Sequence, residues 1–314
     1  MSGIFRLIRL RTLAFAIFTL YAMRYFVVRP ILAINDFSLQ WSDFSFTLLV
    51  ISVCCLISGA YVINDYFDTK TDRIAGVKEV LVGRHVSRRN AMTLHSVLNV
   101  IAIVIAFYLS MTAGIWKIGV LFLLVSGLLW FYSSAYKKYF IVGNVLVAGM
   151  MALIPLSVLL FEIPVLNREY IDILIYTQTD FMYMFRWVGG FSCFLFVNTL
   201  LYEMNKDLYT AEGDRENGIK TLAVGAGIRA ARYAIVGIGC VCVAGIWLLY
   251  YTVFNGSFPV LLYFSGLSLF YVFYMGLMLS EVRRRKVELG MIRFLTVGGV
   301  AFSLLLNQFF RSIF

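Results

Sequence analysis

The chain has little charge for its length. Only 14% of its 314 residues are Asp, Glu, Lys or Arg, whereas a typical soluble domain has about 25%. Hydrophobic residues make up 61% of the chain, and the mean hydropathy is +0.85. This composition excludes a disordered chain, a collagen-like chain and an ordinary soluble domain.

Residues that build zinc sites and disulfide frameworks are also scarce. The two histidines are His85 and His95, and neither stands at metal-ligand spacing from a cysteine. All the cysteines lie within apolar runs: Cys54, Cys55, Cys193, Cys240 and Cys242. We therefore expect buried, reduced thiols that pack as small hydrophobic groups.

Long apolar runs dominate what is present. A helix needs about 20 residues to cross about 30 Å of hydrocarbon. Nine runs reach this length, at residues 12–33, 44–64, 91–111, 114–132, 139–161, 182–203, 231–252, 258–280 and 293–312. The sequence predicts an all-α polytopic bundle of about nine transmembrane helices around a central cavity. Residues 1–314 would form one membrane-embedded domain.

The basic residues predict an orientation. Lys and Arg gather before the first run and in the loops after even-numbered runs, whereas the third and fifth loops have only Lys117 and Arg168. The fifth loop is instead expected to be acidic, with Glu162, Glu169, Asp172 and Asp180. The positive-inside rule then places the N-terminus and the even loops in the cytoplasm.

The distribution of Lys and Arg also indicates where the protein is located and which partners it binds. We interpret the net charge of +10 as a topology signal, which argues against nucleic acid as a partner. The first run lacks a following small-residue cleavage site, so we expect a true span and not a signal peptide. We expect an integral protein of a bacterial inner membrane, with its site near the cytoplasmic face. The oligomeric state stays open.

Two cytoplasmic loops contain carboxylates at helical spacing. The first cluster follows the second run at four-residue intervals, and the second cluster follows the sixth run on one face of a continued helix, unless Gly213 ends that helix. The first cluster is Asn64, Asp68 and Asp72; the second is Glu203, Asp207 and Asp214.

The clusters also match each other. Asp65, Asp68, Asp72, Arg73 and Gly76 have the same spacing as Asp207, Thr210, Asp214, Arg215 and Gly218. This match suggests an internal repeat, of about residues 1–138 and 139–280, with the two clusters facing one cavity. Thr210 then stands where the first half has a carboxylate, and we expect Glu203, rather than Glu212, to compensate because it shares the face of Asp207.

Gathered carboxylates at a membrane edge repel one another and are costly to bury. Mg²⁺ resolves this, because it binds one or two carboxylates and completes its shell with water and phosphate. The pattern therefore indicates Mg²⁺ ions that hold a diphosphate. The alternative is a solvated acidic loop with local ion pairs.

These motifs resemble those of the UbiA superfamily of intramembrane prenyltransferases. Residues 64–72 are similar to its first aspartate-rich motif, and residues 206–222 to its second; residues 132–137 and 143–145 resemble the segment between them. The second motif is most similar to the geranylgeranylglyceryl-phosphate branch. The resemblance covers nearly the whole chain.

The resemblance implies Mg²⁺-dependent transfer of a polyprenyl group from a prenyl diphosphate to a lipophilic acceptor in the bilayer, such as a glycerol-phosphate lipid. The catalytic residues would be Asp68, Asp72, Asp207 and Asp214. The metal ligands would be these four with Asn64 and Glu203. The diphosphate would be bound by Lys78, Arg84, Lys137, Lys206 and Arg215.

Two further residues have alternative interpretations. Tyr132 is either an interface tyrosine or a residue that contacts the acceptor. Asn144 lies within a span, where an amide is costly unless paired, so it either faces the cavity or bonds another helix.

The sequence departs from the family twice. The arginine-proline pairs expected after the first motif are absent, which leaves Lys78 and Arg84 as the basic candidates there, and Thr210 replaces an aspartate. Three other functions stay open: a quinone-precursor prenyltransferase of the same family, a membrane transporter, and an inactive homologue. Against a transporter, the acidic residues lie at helix ends and not near the midplane.

Overall fold

The structure is a computed structural model. It describes residues 6–75, 80–280 and 284–312, and within these ranges not the side chains of residues 70–75, 138, 311 and 312. In the described part the chain is almost entirely helical, and the only β-type pairing there is an isolated bridge between Val82 and Val86.

Nine long helices account for most of the described residues. Their bounds are α1 Leu10–Ile34, α2 Asp43–Ala75, α3 Arg88–Ala113, α4 Lys117–Ser134, α5 Val142–Glu169, α6 Met184–Glu216, α7 Ile228–Val253, α8 Phe258–Leu279 and α9 Arg285–Ser312. Each is long and apolar enough to cross a membrane. The predicted all-α membrane fold is confirmed, while the orientation of the N-terminus stays a prediction.

Helices α2 and α6 continue past their apolar runs, as the carboxylate spacing predicts. Each has 33 residues, which at 1.5 Å per residue gives about 50 Å, longer than the hydrocarbon core. Gly213 does not interrupt α6. Because a helical glycine costs only about 1 kcal/mol relative to alanine, the surrounding helix formers outweigh it.

Two predicted boundaries are wrong. α5 continues to Glu169 and not to residue 161, and α9 begins at Arg285 and not at residue 293. Glu162 therefore lies inside α5 and not in a loop. It is fully buried because its carboxylate accepts hydrogen bonds from Arg24 and from the Gln40 and Trp41 amides, which compensate the charge.

The chain divides into two compact units. Unit 1 comprises residues 1–136 and 153–189, and unit 2 comprises residues 137–152 and 190–314. In unit 1, α2 packs against α1, α3 and α4. In unit 2, α8 packs against α7 and α9. A single domain with an internal repeat stays a prediction.

A tight turn leads from the first cluster into α3. Gly83 has φ +87°, a conformation that glycine adopts readily, and its amide donates to the Val86 carbonyl at 2.7 Å. Val82 and Val86 pack against Leu7 and Val62. Ser87 caps α3 by accepting from the Asn90 amide.

Candidate active site

The first cluster begins with a hydrogen-bonded pair on α2. Asn64 Nδ2 donates to Asp68 Oδ2 at 2.9 Å, which confirms that residues four apart share one stripe here. The amide orients the carboxylate and stabilises its charge. The backbone of Asp72 continues α2, but its side chain lies outside the described residues.

Asp65 faces a different partner. It is 5% exposed, and its Oδ1 lies 3.3 Å from Arg9 Nη2. The Arg9 guanidinium also lies over the Tyr61 ring, 4.1 Å from its centroid. Asp65 therefore ties α2 to the residues that precede α1, and Asp68 is left as the carboxylate beside Asn64.

The basic residues expected after the first cluster are placed only in part. Lys78 lies outside the described residues. Arg84 is exposed on the turn before α3. The structure adds Arg88, which the sequence argument did not single out: its guanidinium lies 4.3 Å from the centroid of the Tyr66 ring. Arg88 and Tyr66 are far apart in the sequence, so no local pattern indicates that they are in contact.

The second cluster centres on Asp207. This carboxylate is 7% exposed and accepts a hydrogen bond from Asn144 Nδ2 at 2.8 Å. Of the two interpretations of Asn144, bonding to another helix is confirmed, and the partner is a cluster residue. The pair joins α5 to α6 within unit 2.

The neighbouring side chains of α6 form local pairs. Lys206 Nζ contacts Glu203 Oε2 three residues earlier. Thr210 Oγ1 donates to Asp214 Oδ2 at 2.7 Å. Thr210 thus orients a carboxylate, in the same i, i+4 relation in which Asn64 orients Asp68.

The remaining candidates lie at helix ends. Tyr132 is half-buried in the last turns of α4, and Lys137 is half-buried in the short 3₁₀ helix Tyr136–Lys138. Arg215 is exposed in the last turn of α6. The Lys206 side chain is 39% exposed. These groups are accessible enough to bind an anion.

The donor chemistry fits Mg²⁺. Among the side chains described, no three His, Cys, Asp or Glu residues group closely enough to hold a metal ion by themselves. Mg²⁺ does not require such a cage, because it retains water and takes phosphate oxygens alongside one or two carboxylates. Asp68 beside Asn64 and Asp207 beside Asn144 are hard oxygen donors of this type.

A family comparison agrees with this chemistry. The model of the UbiA prenyltransferase family matches residues 26–297. The chain belongs to this family. The match includes both carboxylate clusters and the seven complete helices α2 to α8, which confirms the resemblance found in the sequence.

Curated relatives of this UbiA family member are archaeal lipid enzymes. The chain is 31% identical over 183 residues to digeranylgeranylglyceryl phosphate synthase of Sulfurisphaera tokodaii, covering 58% of this chain and 57% of the relative. It is 29% identical over 187 residues to the enzyme of the same name from Methanothermobacter thermautotrophicus, covering 60% and 58%. The chain thus spans less than two thirds of the length of these relatives.

Solved structures share the fold at low sequence identity. A UbiA homologue from Aeropyrum pernix superposes with a TM-score of 0.61 at 13% identity, covering 94% of this chain and 97% of that one. A UbiA homologue from Archaeoglobus fulgidus, bound to DMAPP and Mg²⁺, gives a TM-score of 0.58 at 14% identity, covering 98% and 99%. These likenesses confirm the fold.

Proposed function

We propose that this chain transfers a polyprenyl group from a prenyl diphosphate to a glycerol-phosphate lipid acceptor within the membrane. The observation that carries the proposal is Asp207, a carboxylate buried in a membrane helix with an amide donor, in a chain of the UbiA family. The names of the two relatives described above, digeranylgeranylglyceryl phosphate synthases, support a glycerol-phosphate lipid as the acceptor.

Each group of residues has a distinct part in this proposal. Mg²⁺, when bound, would neutralise the charge that develops on the departing diphosphate. Its ligands would come from Asn64, Asp68, Asp72, Glu203, Asp207 and Asp214. The diphosphate oxygens would be bound by Lys78, Arg84, Lys137, Lys206 and Arg215. Tyr132 would lie beside the acceptor.

The chain's residues bind and orient; they do not form a covalent intermediate in this proposal. The allylic carbon–oxygen bond breaks with its electron pair on the diphosphate. The acceptor hydroxyl oxygen bonds to that carbon, and its proton passes to the departing diphosphate. Cationic side chains compensate the charge of the leaving group, and the apolar spans accommodate the prenyl tail and exclude water.

The cytoplasmic location of the site also belongs to this proposal. The Lys and Arg excess in the loops that follow α2 and α6 supports it. The relatives compared above are archaeal, so a bacterial origin stays a prediction.

The test is turnover by purified protein in detergent or liposomes with Mg²⁺. Labelled C10 to C20 prenyl diphosphates are offered with a geranylgeranylglyceryl phosphate acceptor or with an aromatic quinone precursor. Product with the glycerol-phosphate acceptor supports the proposal. Product with the aromatic acceptor alone indicates the quinone branch, and no diphosphate release with any pair indicates a transporter or an inactive homologue.

A matched pair of variants ties the result to the cluster. Asp207→Asn barely changes side-chain volume but removes a charged ligand, so turnover should fall by more than tenfold, a barrier increase above about 1.4 kcal/mol. Asp172→Asn makes the same chemical change on the exposed short helix Ile171–Thr177 and should retain full activity. Equal activity in both variants would mean that Asp207 is not a ligand.

A further inference from the structure

Helix α6 carries a second set of polar side chains that the proposed reaction does not use. Asn198, Asn205 and Tyr209 are spaced seven and four residues apart, so they lie within about 40° of one another at 100° per residue. By the same geometry Asp207 lies about half a turn from Asn198. We name Asn198, Asn205 and Tyr209 the polar seam.

Every residue of the polar seam bonds a neighbouring helix of unit 2. Tyr271 OH donates to Asn198 Oδ1 at 2.8 Å, and Asn205 Nδ2 donates to Tyr274 OH at 3.1 Å. Both tyrosines belong to α8. Tyr209 OH donates to Glu288 Oε2 on α9. α6 is thus tied to α8 and α9 on the face away from Asp207.

The two asparagines of the polar seam and the partners of all three seam residues are buried, which makes the geometry restrictive. Asn198, Asn205, Tyr271 and Tyr274 are fully buried, and Glu288 is 1% exposed. Rotation of α6 would leave several of these polar groups without partners in apolar surroundings, at about 1–3 kcal/mol each. The seam therefore admits one rotation of α6.

Asn205 shows that this arrangement does not serve stability alone. Its Oδ1 is buried and has no hydrogen-bond partner among the described residues. A leucine of similar size would pack there without that penalty. A buried polar residue that costs stability is well suited to specify one register of packed helices.

We propose that the polar seam positions the second cluster, by setting the rotation of α6 so that Glu203, Asp207 and Asp214 present their carboxylates together. This inference rests on the proposed function. Asn144 holds Asp207 from the opposite side of α6, so the helix is fixed from two directions. The seam residues are positioning residues and touch no substrate.

The test removes hydroxyls and leaves the volume unchanged. In Tyr271→Phe/Tyr274→Phe, the Mg²⁺ concentration for half-maximal diphosphate release should rise about threefold to tenfold, since neutral hydrogen bonds of this size are lost. The dissociation constant for Mn²⁺, measured by electron paramagnetic resonance without prenyl diphosphate, should rise by a similar factor. The turnover rate at saturating Mg²⁺ should stay near that of the wild type. Tyr274→Phe alone carries the same test if the double variant does not fold.

Tyr263→Phe is the matched control. Tyr263 also lies on α8, but its hydroxyl donates to the Gly298 carbonyl of α9 and not to a residue of the polar seam. This variant should lose thermal stability with unchanged Mg²⁺ and Mn²⁺ requirements. An unchanged requirement in the double variant, or an equal rise in Tyr263→Phe, would overturn the positioning role.

The two proposals fail in different ways. If the wild type releases no diphosphate, the proposed function is wrong, and the Mn²⁺ titration still decides the positioning role. If the wild type turns over but the requirements of the double variant do not change, only the positioning role is wrong. If the wild type neither turns over nor binds Mn²⁺, both are wrong.

Discussion

Asp207 and Asn144 show how a carboxylate can be buried in a long apolar helix with a hydrogen-bond donor beside it. Burial disfavours the charge, and one amide donor at 2.8 Å compensates it only in part. A bound cation would compensate the rest, and carboxylate oxygens are ligands that Mg²⁺ prefers. The Asn144 amide orients the Asp207 carboxylate before a cation binds.

Asn144→Leu should therefore weaken the proposed Mg²⁺ site. A hydrogen bond to a charged group contributes about 1.5–3 kcal/mol, so the Mg²⁺ concentration for half-maximal activity should rise about tenfold or more. Asn35→Leu replaces an exposed amide outside both carboxylate clusters, which donates to the Ile31 carbonyl, and should not change this Mg²⁺ concentration. An identical Mg²⁺ dependence in the two variants would show that Asn144 has no part in the site.

Asp65 and Asp68 should respond differently to the same substitution. Asp65 is paired with Arg9 and Asp68 with Asn64, so Asp65→Asn should lower thermal stability while its Mg²⁺ dependence stays that of the wild type. Asp68→Asn should abolish turnover in a folded protein. Loss of activity in Asp65→Asn without loss of stability would assign Asp65 to the site as well.

At the scale of helices, a buried ion pair fixes the opposite end of α2. Arg24 is 1% exposed and its Nη1 lies 2.9 Å from Glu162 Oε2, and its Nη2 lies 3.1 Å from Asp43, the first residue of α2. The pair joins α1 to α5 within unit 1. At 1.5 Å per residue, Asp43 lies about 33 Å along α2 from Asp65.

Breaking the Arg24–Glu162 pair should lower the stability of the protein and leave the Mg²⁺ dependence of its activity unchanged. Arg24→Met leaves Glu162 buried without its cation, which should cost about 3–5 kcal/mol. Arg24→Met/Glu162→Gln removes both charges and should recover part of that loss. Thermal unfolding in detergent measures both effects, and the Mg²⁺ dependence of the folded double variant should equal that of the wild type. A double variant less stable than Arg24→Met would show that the pair is not the cause.

At the scale of the whole molecule, local periodicity predicts the helices better than their partners. The nine apolar runs and the helical continuation toward Asp68 and Asp207 follow from spacing along the chain. The pairs Arg24–Glu162 and Asn144–Asp207 join residues 138 and 63 positions apart, and no local pattern indicates them. The sequence alone predicts Glu162 in a loop, because a charged side chain argues against a span, whereas the structure places it inside α5.

Local periodicity also does not establish whether the two carboxylate clusters share one cavity. The similar spacing around Asp68 and Asp214 predicts an internal repeat, but the two clusters belong to different compact units. Their shared cavity stays a prediction. A test of sidedness addresses it directly, because a shared site requires that both clusters lie on one face of the membrane.

Cysteine labelling of intact cells with a membrane-impermeant maleimide supplies that test. Thr71→Cys and Asn217→Cys should both be protected until the membrane is permeabilised, because each lies beyond an even-numbered apolar run in a segment rich in Lys and Arg. Tyr176→Cys, on the segment between α5 and α6 where Tyr176 is 89% exposed, should react without permeabilisation. The unsubstituted chain corrects for its native cysteines. Labelling of Thr71→Cys and Asn217→Cys from opposite sides would exclude a common site, because one diphosphate could not contact both clusters.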